Sequence, residues 1–246
     1  MSETIATLAK IYVYPVKSMA CVQLRTAFVG LDGIWGDRQY AFVLANDSAK
    51  KSFPWMTARQ DARMLEYQPS FEQPPLSNHT DPAVSIRTPE GKVTSVSDEN
   101  LLEELQSKFG RDLFLLRSER GIFDCQHVSA FSLATVDALA NEAACNIDHR
   151  QFRANLYFNP VGAEAFAEEH WTDCLWAVGA EVVLSVAQHD RRCMMVNLSP
   201  ETGCNHPTVL GIIARLHKNR AGLYLNVVRA GTICEGDTIR RVAIGT

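Results

Sequence analysis

Apolar and polar residues alternate along much of this chain, which is the period of half-buried strands. Ala9 to Val16 alternates in this way until Pro15 and Lys17-Ser18 break it. Val22 to Phe28 and Gln39 to Leu44 read as strands on either side of a turn region holding Gly30, Gly33 and Gly36. Arg59 to Arg63 predicts a short helical turn ahead of a strand near Leu65 to Phe71. Pro74, Pro75, Asn78 and Pro82 mark residues 72–82 as a loop. Val84 to Arg87 and Lys92 to Thr94 form a predicted hairpin through Pro89-Glu90-Gly91. Ser97 is the expected cap of a helix over Asp98 to Lys108, with Leu101, Leu102, Leu105 and Phe109 at helical spacing and Gly110 as the stop. A strand over Asp112 to Arg117 follows, then a polar connection at 118–128 that reads as the seam between two halves.

Beyond the seam, Thr135 is the expected cap of a helix running to about Cys145, and Thr208 to His217 predicts another. Strands are expected over Ala154 to Phe158, Leu175 to Val178, Glu181 to Ala187, Cys193 to Asn197, Leu223 to Val228 and Thr238 to Val242. Many short strands with few helices point to a mainly β, α+β protein built from β-barrels, not a doubly wound sheet. The expected division is 1–118 and 119–246, an N-terminal β-barrel-like module packed on a second barrel.

Composition narrows the function. The 246 residues are 46% hydrophobic and 21% charged, enough for one large β domain or two small ones. A net charge of -4, with both signs interspersed, gives no footprint for nucleic acid. No apolar run reaches the roughly 18 residues needed to span a bilayer, so no membrane association is expected. Met1-Ser2-Glu3-Thr4 has no basic start leading into an apolar core, and no signal peptide is read there. Seven cysteines, at 21, 125, 145, 174, 193, 204 and 234, include no Cys-x-x-Cys pair. That pattern disfavours a disulfide framework or an iron–sulfur cluster in this chain and fits a reducing, cytoplasmic compartment.

The candidate chemistry centres on Cys193, which follows Arg191-Arg192. Neighbouring guanidinium groups favour the thiolate, the nucleophilic and metal-binding form of a cysteine. The competing reading is a buried, inert cysteine. Lys17-Ser18, after a strand end, offers a cation and a hydroxyl to a phosphate or a polar ring edge; the plain alternative is a solvated lysine. Gly33-Ile34-Trp35-Gly36-Asp37-Arg38 delivers Arg38 from a tight turn with Asp37 placed to orient it, or is a pair that merely stabilises the turn. In Phe152-Arg153-Ala154-Asn155, strand alternation would put Arg153 and Asn155 on one side, either gripping an anion or lying on a polar outer face. His189, Cys193, Cys204 and His206 form a ligand-rich stretch that could hold zinc, although their spacing matches no tight zinc motif. No Ser-His-Asp pattern, Walker loop or GxGxxG run occurs.

Taken in order, these fragments resemble the MOSC family, named for the molybdenum cofactor sulfurase C-terminal domain, and in particular its branch of amidoxime reducing components. Residues 6 to about 118 resemble the family's N-terminal β-barrel module, through Tyr-Pro-Val-Lys-Ser at 14–18, the Asp-Arg run ending at Arg38 and Met-Thr-Ala-Arg-Gln at 56–60. Residues 125–244 resemble the MOSC domain proper. They carry Phe-Arg-Ala-Asn at 152–155, Glu168-Glu169-His170-Trp171, Arg-Cys at 192–193, Ser-Pro-Glu-Thr-Gly at 199–203 and Gly-Thr-Ile…Gly-Asp at 231–237.

The resemblance implies a molybdenum cofactor, Mo-molybdopterin, with Cys193 as the metal ligand and catalytic centre. Lys17, Ser18, Arg38, Ser129, Arg153, Asn155 and Arg192 fall on implied cofactor-binding positions. Arg191 departs from the family pattern, which often has a small hydroxyl residue there. The implied activity is reduction of small N-oxygenated substrates of amidoxime or hydroxylamine type. Some relatives carry a ferredoxin-type domain, and no cysteine cluster for one is present up to Thr246. Electrons are therefore expected from a separate ferredoxin- or flavoprotein-type donor. The alternative is a non-redox carrier of the cofactor, or of sulfur as a Cys193 persulfide.

Overall fold

The computed structural model describes residues 3–45, 53–77, 81–172 and 174–243. Met1-Ser2 at the N-terminus and positions 78–80 of the expected 72–82 loop lie outside the described residues.

Seven strands close into a barrel. They are β1 (Glu3–Val13), β10 (Val128–Ser132), β11 (Leu156–Pro160), β12 (Cys174–Val178), β13 (Val182–Arg191), β14 (Arg220–Arg229) and β16 (Thr238–Ala243). The circuit runs β1-β11-β10-β14-β13-β12-β16 and back to β1, and the short β2 (Val22–Leu24) rides on the end of β1. Only the β10–β11 pairing is parallel. Strand alternation fills the interior: Leu8, Val128, Leu156, Trp176, Leu184, Leu225 and Ile239 all point into one core. Phe158 meets the Trp176 ring edge-on, with centroids 5.5 Å apart.

A second core lies under β5 (Tyr40–Leu44), β6 (Gln68–Phe71), β7 (Val84–Arg87), β8 (Val93–Ser95) and β9 (Leu113–Arg117). The helix α1 (Glu99–Phe109) packs Leu101 and Leu105 against Phe42, Met64, Tyr67 and Ile86 there. A three-stranded sheet joins the two halves: β3 (Thr26–Gly30) pairs with β4 (Gly33–Ile34) on one side and with β15 (Gly231–Cys234) on the other. A third core gathers α2 (Leu133–Ala143) and α3 (Thr208–Leu216) around Phe131, Phe152, Tyr157, Val209 and Ile213. The protein is thus mainly β with a few helices, as the pattern predicted.

Several local expectations are corrected. Asp98, not Ser97, caps α1: its carboxylate accepts from the Asn100 amide at 2.9 Å, while Ser97 Oγ pairs with Ser95 Oγ. Ser132, not Thr135, caps α2, and Thr135 is buried, donating to Glu168 Oε2 at 3.0 Å. The expected Val22 to Phe28 strand is two strands broken at Arg25. The helical turn expected at Arg59 to Arg63 lies at Ala62–Glu66, capped by Asp61. Cys193 to Asn197 is no strand. Met194–Asn197 is a 3-10 turn. Its apolar run looked like a buried strand because a short run carries no period that separates the two. Asn197 explains why the turn forms, since its side chain accepts from the Leu210 amide at 2.9 Å and so caps α3, whose own N-cap, Pro207, offers no side chain to do so.

Candidate functional site

Between the two halves lies a cleft of about 120 Å³, and all eight predicted site residues line it: Lys17, Ser18, Arg38, Ser129, Arg153, Asn155, Arg192 and Cys193. An adjoining cavity of about 460 Å³ meets it at Arg153.

Lys17 leaves the bridge between Val16 and Tyr40, and its Nζ donates to the Ile122 carbonyl (2.8 Å) and to Asp124 Oδ1 (2.7 Å). Burial pushes its proton affinity down, and Asp124 opposes this. These bonds tie the 118–128 connection to the cleft wall. Ser18 is buried with a positive φ of 68°.

Asp37 is the hub of one wall. It is 1% exposed and accepts from the Tyr14 amide (2.7 Å), Asn155 Nδ2 (3.0 Å) and the Arg38 guanidinium. The expectation that Asp37 orients Arg38 therefore holds. Arg38 also donates to the Arg153 carbonyl at 3.0 Å. Burial would lower its proton affinity, but the charge and hydrogen bond of Asp37 lead the effects that more than offset this, so its pKa is raised. Asn155 is held by Ser129, whose amide and hydroxyl both donate to Asn155 Oδ1 at 3.1 Å.

Arg153 corrects the strand-alternation argument. It sits before β11 in the left-handed region (φ 52°), ending a 3-10 turn at His149–Phe152, so alternation does not relate it to Asn155. It reaches the cleft by lying 4.2 Å from the Tyr14 ring centroid and donating to the Met19 carbonyl at 2.9 Å. The Arg38 guanidinium is 4.6 Å from the same ring. Burial lowers the pKa of Arg153, and Arg38 adds to the effect. Among the described residues Arg153 makes no ion pair with a carboxylate, and this unbalanced charge suits an anionic ligand.

Arg192 differs from expectation. Its guanidinium does not stand free beside the thiol but pairs with Asp190 at 2.8 Å, both side chains 5% exposed. It also donates to the carbonyls of Ala221 (2.6 Å) and Phe152 (2.8 Å) and lies 5.0 Å from the Phe131 ring centroid. Its Nη2 is buried without a partner. Gly222 leaves room for it: a Cβ at that positive-φ position (82°) would fall 2.8 Å from Nη2 and 2.3 Å from the Phe131 ring. Burial pushes the Asp190 carboxyl up, against Arg192 and a hydrogen bond from Tyr224. Cys193 follows on the cleft surface, exposed, with Arg191 exposed beside it.

Asp190, Tyr224, Arg59, Thr57 and Asp124 also line the cleft without having been singled out. Asp190 had a signal, as the acid two residues before an arginine on one strand face. Arg59 stood inside the Met-Thr-Ala-Arg-Gln run. Tyr224 carried none, because it is the registers of β14 with its two neighbours, pairing it with Gln188 on β13 and Ser129 on β10, that bring it to the cleft. The zinc reading is not assembled, since no three His, Cys, Asp or Glu side chains among the described residues converge to hold an ion.

Six cations and two carboxylates line the cleft, with two exposed thiols, Cys125 and Cys193. This donor set fits a phosphate-bearing, thiolate-ligated cofactor: unbalanced guanidinium for the phosphate, the fixed Ser129–Asn155 amide for a polar ring edge, and sulfur for a soft metal.

The comparisons agree with this architecture. The family model for the MOSC domain matches residues 104–240, and that for the MOSC N-terminal beta barrel domain matches residues 5–115. No curated protein matches. Among solved structures, the YUAD protein from Bacillus subtilis is 12% identical with a TM-score of 0.53, covering 100% of this chain and 99% of that one. YiiM from Geobacillus stearothermophilus is 14% identical with a TM-score of 0.38, covering 49% of this chain and 56% of that one. No helix of the described residues is long and apolar enough to cross a membrane. With two family models matched in order along nearly its whole length, the chain belongs to the MOSC domain family, which is associated with molybdenum cofactor proteins.

Proposed function

We propose that this protein binds Mo-molybdopterin in the cleft and reduces N-oxygenated substrates of amidoxime or hydroxylamine type, with electrons from a separate ferredoxin- or flavoprotein-type donor. The observation that carries the reading is the exposed Cys193 thiol in a cleft lined by six cations and two carboxylates. Arg153, Arg38 and Lys17 would hold the phosphate, with Ser18 beside them. Ser129 and Asn155 would meet the pterin edge, and Cys193 Sγ would ligate the metal. Arg192 acts from beneath, fixing the backbone on which Cys193 sits. When bound, the cofactor supplies the two-electron chemistry that takes oxygen from an N–O bond and yields water. The chain supplies binding, orientation and a cleft in which Lys17, Arg38, Arg153 and Arg192 are held by hydrogen bonds to backbone carbonyls, so these groups need not reorganise during the reaction.

The test is molybdenum and pterin content per chain after expression in a cofactor-replete host, with Cys193→Ser alongside. Near-stoichiometric metal, lost in the variant, together with turnover of benzamidoxime by a dye-reduced sample, supports the reading. Metal and pterin without turnover points to the non-redox carrier, which uses the same residues. Absence of both from the parent protein, even after reconstitution, overturns the reading.

A further inference from the structure

The positive charge of the cleft is not evenly answered. Lys17 is paired with Asp124, Arg38 with Asp37 and Arg192 with Asp190. Each of these three charges is already matched within the protein, and each cation also donates to a backbone carbonyl. Three lining cations remain: Arg153, Arg59 and Arg191. Arg153 is wedged against Tyr14, at the wall shared with the adjoining cavity.

Arg59 and Arg191 differ from it in kind. Both are exposed, and neither makes an ion pair or a side-chain hydrogen bond among the described residues; Arg59 contributes only a long-range pull on Asp124. They come from separate parts of the fold. Arg59 belongs to the turn before the 3-10 segment Ala62–Glu66, and Arg191 is the last residue of β13, two positions before Cys193. Exposed arginines of a chain with net charge -4 have abundant carboxylates available to them. Two that line one cleft from separate elements, both unpaired, hold ten guanidinium N–H donors ready for an incoming oxyanion.

We propose that Arg59 and Arg191 are specificity-determining residues, and that the substrate carries an acidic oxyanion substituent, a carboxylate or a phosphate, which they bind while the rest of the molecule reaches toward Cys193. The inference rests on the proposed function for the identity of the reacting group, but not for the charge preference. Charge-assisted hydrogen bonds to guanidinium are among the stronger polar contacts in sheltered sites. At an exposed mouth, screening leaves about a tenfold preference for the anion over its neutral parent at 0.15 M salt.

The experiment uses the cofactor-loaded protein and three compounds: benzamidoxime, its 4-carboxylate and its 4-phosphonate. Binding is read by calorimetry and turnover with a reduced dye, for the parent protein and for Arg191→Gln, Arg59→Gln and Arg153→Gln. The expected result is about tenfold tighter binding and lower KM for at least one anion, with kcat little changed. Raising salt to 0.5 M should shrink the preference, and Arg191→Gln or Arg59→Gln should reduce it to within about twofold. Preference for one anion only identifies which oxyanion the site takes. Equal affinity for neutral and anionic compounds overturns the inference while leaving the reductase reading intact. Tight anion binding that follows Arg191 and Arg59 without any turnover leaves the inference standing and removes the reductase reading. A preference lost in Arg153→Gln but kept in Arg191→Gln and Arg59→Gln also overturns it, as does an Arg191→Gln protein that sheds its cofactor yet keeps the preference.

Discussion

Replacing Arg192 with methionine is the sharpest test of the buried charge beneath Cys193. The guanidinium and the Asp190 carboxylate are 2.8 Å apart and both 5% exposed. Without the cation, Asp190 keeps the Tyr224 hydroxyl as a hydrogen-bond donor and the weaker pull of the Arg38 charge. It can escape by taking up a proton. From an ordinary value of 3.8, that costs about 4 kcal/mol at pH 7, at about 1.4 kcal/mol per pH unit. Burial already pushes this carboxyl up, which lowers the cost. The carbonyls of Ala221 and Phe152 each lose a donor, adding about 1 kcal/mol apiece. The net expectation is a loss of about 3–5 kcal/mol, the usual cost of orphaning a buried charge. The assay is urea unfolding at pH 7 and pH 5. In the variant the folded-state value of Asp190 is raised further above the unfolded one. That contribution to stability is complete below 3.8 and is lost as pH rises through the folded value, so the deficit at pH 5 is smaller than at pH 7. The double variant Asp190→Asn/Arg192→Met should recover most of the loss, and it serves if the single variant does not fold. An Arg192→Met protein within about 0.5 kcal/mol of the parent, a deficit that ignores pH, or a double variant no better than the single would refute the reasoning.

Two further outcomes follow from buried carboxyls of opposite character. Asp37→Asn puts an amide N–H₂ among three donors and uncouples Arg38 from its counter-charge; a loss of about 3–5 kcal/mol in thermal or urea unfolding is expected, with weaker cofactor retention. Glu168 is 1% exposed, its Oε1 has no partner, and burial holds its pKa above the ordinary 4.5. Its folded form keeps a proton that the unfolded chain gives up, so its contribution is full below 4.5 and is lost as pH rises through the folded value. Glu168→Gln, neutral throughout, should match the parent near pH 4.5 and exceed it by about 1 kcal/mol at pH 8 in urea unfolding. An equal gap at both pH values would sink that account.

Much of the site was legible because it is built from local chain geometry. Lys17 after a strand, Arg38 out of a glycine-flanked turn with Asp37 beside it, and Cys193 after a basic pair are all visible within a few residues of sequence. The helices were legible too, down to Gly110, which takes the left-handed conformation at the end of α1. What stayed hidden depends on partners distant in the chain. The neutralisation of Arg192 needs Asp190 to face inward, which the bulges of the β13–β14 ladder decide. Tyr224 reaches the cleft through the registers of β14 with both β13 and β10. The Cys193 to Asn197 turn is tied through Asn197 to the Leu210 amide of α3, thirteen residues on, a contact that no window over the turn contains. Strand alternation failed at Arg153 because a left-handed residue resets the direction of the side chains that follow.

The weaving of the barrel fixes the order in which the molecule can be assembled during synthesis. Ala6 of β1 lies opposite Pro160 of β11 and also Ile239 of β16. At roughly 5–20 residues per second, some 10 to 50 s separate the emergence of the first strand from that of its final neighbour. Throughout that interval β1 has an unpaired edge and its apolar face has no core to join. The core around Phe42, Met64, Ile86 and Leu105 draws almost entirely on residues 16–113 and can collapse long before. The nascent chain therefore carries a formed module behind a waiting N-terminal strand, and its period of greatest exposure to aggregation ends only when β16 docks beside β1.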